Sequence, residues 1–278
     1  MTPRNWLITG ISRGLGRALA EAALARGDHV IGTTRSGWLE PPRAPNLRVL
    51  ALDVADPEQI RPAVREALRL CPQLDVVVNN AGYGLFGAVE EAAVPQAYEL
   101  FSTNFFGAWH LLQEVLPAMR ARRRGHIVNI ASVAALSPMA GSGLYAASKA
   151  ALAALSESLA AELGPLGLKV SLVEPGALRT EFLSERSMQV GSRSIRDYAD
   201  TAGRVVRHKQ ELAGHQPGDP EAAAQAILEL VDLPEPPPRL LLGSDALRLA
   251  RRKLAQLAGE IDRWENLSRS ADFAEEHA

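Results

Sequence analysis

Seven short apolar runs, each separated from the next by helical or irregular sequence, constrain the fold of this chain more than any other feature. They lie at Asn5–Thr9, His29–Thr33, Leu47–Ala51, Leu74–Asn79, His126–Ala131, Lys169–Glu174 and Arg239–Leu242, and most are dense in Val, Ile and Leu. Strands buried on both faces read in this way, whereas a half-solvated antiparallel strand alternates apolar with polar residues. The segments between them are mostly Ala- and Leu-rich with helical spacing. The alternation predicts an α/β chain: a doubly wound parallel sheet of about seven strands with helices on both faces, occupying residues 1–278 as one domain. The proline run Pro234–Pro238 cannot donate ladder hydrogen bonds, which places the strand after it at a sheet edge.

Composition removes several classes of function. A formal net charge of −2 gives no global positive field for nucleic acid or an anionic membrane. One cysteine excludes an intrachain disulfide framework and fits a reducing compartment, so a cytoplasmic location is expected. No run is long and apolar enough for a membrane span, and the opening MTPRNWLITG is too short for a signal-peptide core. The histidines at 29, 110, 126, 208, 215 and 277 show no metal-ligand spacing, and no catalytic metal is expected. Arg120, Arg122, Arg123 and Arg124 follow an apolar helical stretch without interleaved aromatics, as befits a solvated helix end.

The first run leads into Thr9-Gly10-Ile11-Ser12-Arg13-Gly14-Leu15-Gly16 and then an Ala-rich helix. Such a strand, glycine turn and helix lets backbone approach a pyrophosphate, whose charge is favoured by free N–H groups at the helix start. At the end of the second strand, where an acidic residue would bind an NAD ribose, the sequence reads Thr33-Thr34-Arg35-Ser36. Arg35 there, with Arg13 in the turn, suits a 2′-phosphate and favours NADP over NAD. Asp53, just past strand three, is placed for the adenine. Asn79, Ala81 and Gly82 lie where strand four ends and backbone can approach the cofactor.

Tyr145 and Lys149 are four residues apart and share a helix face. A phenol has an ordinary pKa of about 10, and bringing it into the neutral range takes roughly 4 kcal/mol of differential interaction. Lys149 and an oxidised nicotinamide would supply this, leaving Tyr145 to exchange a proton with a carbonyl or alcohol. Ser132, after the strand ending at Ala131, either orients the reacting oxygen or satisfies backbone at a strand end. Asn104 in an apolar helical stretch either anchors a water or is a bonded core amide. Leu85, Phe86, Met139 and Phe182 lie near these positions in sequence and suggest an apolar substrate pocket.

In their order along the chain these residues resemble the short-chain dehydrogenase/reductase family of the Tyr-x-x-x-Lys type, over about residues 4–180, a Rossmann fold. The resemblance implies Tyr145 as acid/base, Lys149 as its modulator and a nicotinamide-ribose ligand, Ser132 on substrate, and Asn104 holding a relay water. It also implies Pro175, Gly176 and Thr180 beside the nicotinamide carboxamide, the rest of Gly10–Gly16 around the pyrophosphate, and a homo-oligomer formed through the helices carrying Asn104 and Tyr145. Gly84-Leu85-Phe86-Gly87 and Leu241-Leu242-Gly243 look like its hydroxysteroid- and retinol-dehydrogenase members. The reaction expected is hydride transfer between NADP(H) and a small-molecule ketone or secondary alcohol, by an NADP-dependent enzyme acting on CH–OH groups. A dehalogenase on this fold is disfavoured by Lys149 and the glycine turn. A non-catalytic NADP(H) sensor or scaffold would keep the glycines without needing Tyr145, Ser132 and Asn104 together.

Two segments remain. From 181 to 220 the apolar rhythm weakens, as in a substrate lid or a poorly ordered surface loop. Over 245–267, Leu247, Ala250, Leu254, Leu257, Ile261 and Trp264 recur at three- and four-residue steps, marking an amphipathic helix expected to pack on its own domain rather than on a membrane or partner.

Overall fold

A computed structural model describes residues 2–40 and 44–273. His277 lies outside them. The seven expected strands all form, with small shifts at their ends: β1 Asn5–Thr9, β2 His29–Thr34, β3 Leu47–Ala51, β4 Val76–Asn79, then β6 His126–Ile130, β7 Lys169–Pro175 and β9 Arg239–Leu242. They make one parallel sheet in the order β3-β2-β1-β4-β6-β7-β9, which is the doubly wound, Rossmann-like α/β fold. The strand after the proline run is outermost, as its missing donors require.

Side-chain alternation explains why the central strands are apolar at every position. Trp6 and Ile8 of β1, Val76 and Val78 of β4, and Val128 and Ile130 of β6 enter one core. Leu7, Val77 and Ile127 from the same strands enter the other. The first core is closed by α1 (Gly14–Ala25) and α7 (Pro220–Asp232), through Leu19, Ala20, Ile227 and Leu228. The second is closed by α2 (Pro57–Leu70), α4 (Gly107–Arg122) and α5 (Gly143–Leu163), through Val64, Leu111, Val115 and Leu159. Local signals start two of these helices: Asp56 and Asp219 each accept from the N–H two residues on, with proline next in the chain.

The basic run after α4 is used locally. Arg123 takes a left-handed conformation, φ 50°. Arg122 donates to the Leu74 carbonyl, Arg123 to that of Pro165, and Arg124 lies 3.7 Å from Asp75.

Residues 181–220 are an ordered cover rather than a loose loop. A turn at Glu181–Leu183 leads to β8 (Met188–Val190), which pairs in parallel with β5 (Gly84–Phe86); α6 (Ala202–Leu212) follows. Three-residue strands are too short to show a period, which is why this ribbon was not legible in the sequence.

The C-terminal helix departs from expectation. Helix α8 spans Ser244–Arg269, 26 residues, yet only Ala246 and Ala250 are buried. Leu254, Leu257, Ile261, Trp264 and Leu267 are 43–66% exposed, so the apolar stripe does not pack on its own domain. At 1.5 Å per residue the helix is about 39 Å long, which exceeds the width of a small domain, and its distal turns find no partner surface. Among the described residues no helix is long and apolar enough to cross a membrane.

Candidate active site

Between β1 and β4 the chain reverses its winding direction, and the carboxyl ends of these strands open into a cavity of about 580 Å³. That is the switch point where ligands of such sheets bind, and the volume lies in the range of small-molecule and cofactor sites.

One side of the cavity is built from backbone. Gly10 and Ile11 donate to the Thr33 carbonyl, both at 3.0 Å, turning the chain sharply away from β1. Gly10 has φ +74° and Gly14 φ +60°, a region costly for residues with a Cβ. A Cβ on Gly16 would run into the Asn80 amide and the Gly10 carbonyl, so the third glycine permits the close approach of turn and helix. Helix α1 begins without a side-chain cap and without an acidic residue in its first turn, leaving its leading N–H groups for an anion.

The sequence-predicted cofactor residues divide in two. Gly10, Ser12, Arg13, Gly14, Leu15 and Gly16 line the cavity, as do Arg35, Asp53, Ala81, Gly82, Pro175 and Gly176. Two do not. Asn79 is turned into the core, its Nδ2 donating to Asn129 Oδ1 at 2.8 Å, and Asn129 in turn donates to Ser156. Its neighbour Asn80 lines the cavity and donates to the carbonyls of Thr9 and Gly10 at 2.9 and 3.1 Å, clamping the turn. Thr180 packs against Gly14 and caps the 181–183 turn by accepting from Phe182 N–H at 3.2 Å.

Arg13 also departs from its expected role. Its guanidinium donates to Ser187 Oγ at 2.6 and 3.0 Å and to the Arg186 carbonyl, strapping the glycine turn to the cover instead of joining Arg35. Arg35 is exposed at the cavity, and among the described residues no carboxylate lies within ion-pair distance of it. The cradle of glycine backbone, free helix N–H groups and unpaired Arg35 fits a dinucleotide.

The other side is built from side chains. Tyr145 and Lys149 project from α5 and are almost fully buried, while Ser132 follows β6. Ser132, whose Oγ accepts from Ala134 N–H at 3.2 Å, lines the same cavity as Tyr145. Lys149 Nζ donates to the Ile130 carbonyl at 2.9 Å, beneath Gly82, and ties α5 to β6. The phenol was expected to be lowered by this cation together with an oxidised nicotinamide. From the protein alone, burial pushes Tyr145 up to about 12, partly opposed by Ser132, and brings Lys149 down to about 8. Burial thus favours the neutral phenol of Tyr145.

Asn104 is a bonded core amide. Its Oδ1 accepts from Tyr83 N–H at 3.1 Å, and Nδ2 donates to the Tyr83 carbonyl and to Ser148 Oγ, both at 3.0 Å. It sits in a π-helical turn, Ser102–Phe106, between α3 (Val94–Phe101) and α4. Such turns are a frequent local distortion at functional sites. Here the turn aims the amide at the loop after Gly82.

Phe86, Met139 and Phe182 line the cavity as expected; Leu85 does not, since strand alternation turns it away. Phe86 and Phe182 flank the Tyr145 ring with centroids 5.5 and 5.7 Å away. Tyr83, Asp245, Lys209 and Gln216 also line the cavity, though nothing in the sequence singled them out. Asp245, at the start of α8, accepts from Ala177 N–H at 2.8 Å and fixes the loop after Gly176. Among the described residues no three His, Cys, Asp or Glu side chains converge as a metal site.

With this geometry in hand, comparison with known proteins is informative. The family profile described as short chain dehydrogenase matches residues 4–191. The chain is 36% identical over 245 residues to the 3-ketodihydrosphingosine reductase of Bacteroides thetaiotaomicron, covering 87% of this chain and 89% of that protein. Human retinol dehydrogenase 8 is 36% identical over 262 residues, covering 85% and 80% respectively. A short-chain dehydrogenase crystal structure from Streptomyces avermitilis superposes with a TM-score of 0.87 at 38% identity, covering 98% of this chain and 99% of that one. A glycine turn, a Tyr-x-x-x-Lys helix and a serine meeting at the switch point of a seven-stranded parallel sheet thus agree with the matches along the chain, and the protein belongs to the short chain dehydrogenase family.

Proposed function

We propose that this protein is an NADP(H)-dependent enzyme that interconverts a ketone and a secondary alcohol. The observation that carries the reading is the meeting of Tyr145, Ser132 and Lys149 in the same cavity as the glycine turn and Arg35. Gly10–Gly16, clamped by Asn80, would hold the pyrophosphate, Arg35 the 2′-phosphate, Asp53 the adenine, and Lys149 the nicotinamide ribose. Bound NADPH supplies the hydride.

The protein's own residues handle the proton. A neutral phenol is the form that donates, and burial keeps Tyr145 in that form for delivery of a proton to the carbonyl oxygen during reduction. Ser132 Oγ donates to the same oxygen and fixes its approach. Lys149, tied to Ile130, places positive charge where the phenolate forms. Asn104 is a positioning residue that holds the Gly82–Tyr83 loop against α5. A relay water at its amide, a lid role for 181–220 and a homo-oligomer through α4 and α5 belong to the same proposal. Phe106 and Trp109, both partly exposed on the segment carrying Asn104, support the last. The single, half-buried Cys71 accords with a cytoplasmic setting.

Relatives named 3-ketodihydrosphingosine reductase and retinol dehydrogenase 8 support hydride transfer between a carbonyl and an alcohol without fixing the substrate. The test is titration of the protein with NADPH and NADH in parallel, then turnover against pooled ketones, aldehydes and alcohols. The expected result is NADPH-selective binding with consumption of NADPH by ketones. Binding without any turnover would replace this reading with that of a non-catalytic NADP(H) sensor.

A further inference from the structure

Lys209 projects from α6 into the wall of the cavity on the side of Phe86 and Phe182. Its Nζ stands 4.7 Å from the centre of the Phe86 ring, which itself packs on Tyr145. The cavity's four carboxylates do not pair with it: Asp245 accepts from Ala177 N–H, Asp53 from Ala55 N–H, Glu181 is 3.9 Å from Arg13, and Glu99 is exposed on α3. Among the described residues Lys209 has no acidic partner and no hydrogen bond, although it is half-buried. A cation held over an aromatic face gains little compared with one paired to an anion. Burial lowers its pKa, as an unpaired ammonium in an apolar wall requires.

Resting on the proposed reaction, we infer that the substrate carries an anionic group, a carboxylate, which Lys209 binds, with an apolar body lying along Phe86 and Phe182 between that group and the carbonyl at Tyr145. The substrate class is then an oxo acid whose carboxylate is set off from the reacting carbon by a hydrophobic spacer. The cation over Phe86 is the resting contact, and the carboxylate replaces it.

The probe is a homologous series of ω-carboxyalkyl phenyl ketones, each paired with its methyl ester, reduced with NADPH. One member of the series is expected to exceed its ester in kcat/KM by about 10- to 100-fold, the worth of a hydrogen bond to a charged group. Lys209→Met should collapse that acid-to-ester ratio toward one, through KM, while Lys209→Arg retains most of it. Acids no better than esters at every chain length, or a ratio unmoved in Lys209→Met, would overturn the inference while leaving the reaction intact. Failure of both acids and esters, with NADPH bound, would count against both the reaction and the substrate class.

A separate observation concerns α8. Its exposed residues Leu247, Leu254, Leu257, Ile261 and Trp264, with Ala250, follow alternating steps of three and four, the seam of a coiled coil rather than the broad face of a membrane-surface helix, and exposed Leu267 flanks the distal end of that seam. The positions flanking the seam are Arg251 and Lys253 in the first half and Glu260 and Glu265 in the second, Glu265 also bridging Arg269. Two copies laid antiparallel set basic against acidic flanks at both ends, whereas a parallel pair sets like against like.

The geometry points to a second copy of this chain, docked antiparallel along α8. Ile261→Glu should lower the association state of the full chain by one step in sedimentation equilibrium. Glu260→Lys with Glu265→Lys should weaken association, and adding Arg251→Glu and Lys253→Glu should restore it. An association state unchanged by Ile261→Glu would overturn the proposal. So would Ile261-dependent co-sedimentation with phosphatidylcholine/phosphatidylglycerol vesicles in a protein that stays monomeric.

Discussion

The two sides of the cavity are made from different materials. The cofactor side is backbone: a turn whose glycines meet a helix start, with Asn80 stapling the turn to β4. The substrate side is a set of side chains from distant elements, Phe86 on β5, Tyr145 on α5, Phe182 after Thr180 and Lys209 on α6. Backbone that must carry phosphate tolerates no Cβ, so its requirement is written locally and in order. Side chains that touch a variable substrate meet only after folding. The cofactor side is therefore fixed by the fold, and the substrate side is the part free to diverge.

Exchanges on the two sides should fail differently. The largest effect on cofactor affinity is expected from Gly16→Ala, whose methyl would meet the Gly10 carbonyl and Asn80. Affinity for NADPH and NADH should fall together, by about 100-fold, because the turn itself must move. Calorimetric titration that shows normal affinity would break the claim that this side is set by backbone. Arg35→Ala acts on one phosphate only. It should weaken NADPH by about 10- to 100-fold while leaving NADH nearly unchanged, and equal losses would remove the 2′-phosphate assignment.

An effect on stability alone, away from both sides of the cavity, comes from His126 at the amino end of β6. Burial, with Lys169 and Arg4 nearby, holds its pKa down to about 4. The unfolded chain therefore binds the proton first, near the ordinary histidine value of about 6.5. Its neutral form adds stability above that value, and the contribution is lost as pH falls toward 4, by about 3 kcal/mol in all. Urea unfolding across this window should show a steeper loss in the native protein than in His126→Gln. Parallel slopes would mean that the buried imidazole does not control acid stability.

The same contrast explains what was legible in the sequence. Runs such as Trp6–Ile8 and Val76–Val78 feed both cores and read as buried strands. Thr9–Gly16 and Tyr145–Lys149 carry their chemistry at fixed local spacing. Which of Asn79 and Asn80 faces the cavity depends on the parity of the pleat at the end of β4, and sequence does not reveal that. Arg13 lies where a 2′-phosphate partner was expected, yet its length lets it reach Ser187, 174 residues away, an outcome only the cover's position decides. Lys209, Gln216 and Asp245 carry no motif and meet the site through tertiary structure alone. The stripe on α8 has amphipathic spacing, but spacing does not reveal whether a helix outruns the surface beneath it.

In the proposed reaction Tyr145 delivers the proton that completes carbonyl reduction. The most direct test of this step is Tyr145→Phe in single-turnover reduction of a ketone that the native protein accepts, with NADPH affinity measured on the same preparation. The account predicts a rate lowered by about 100- to 10,000-fold with NADPH binding unchanged. Reduction at the native rate by the phenylalanine variant would contradict it.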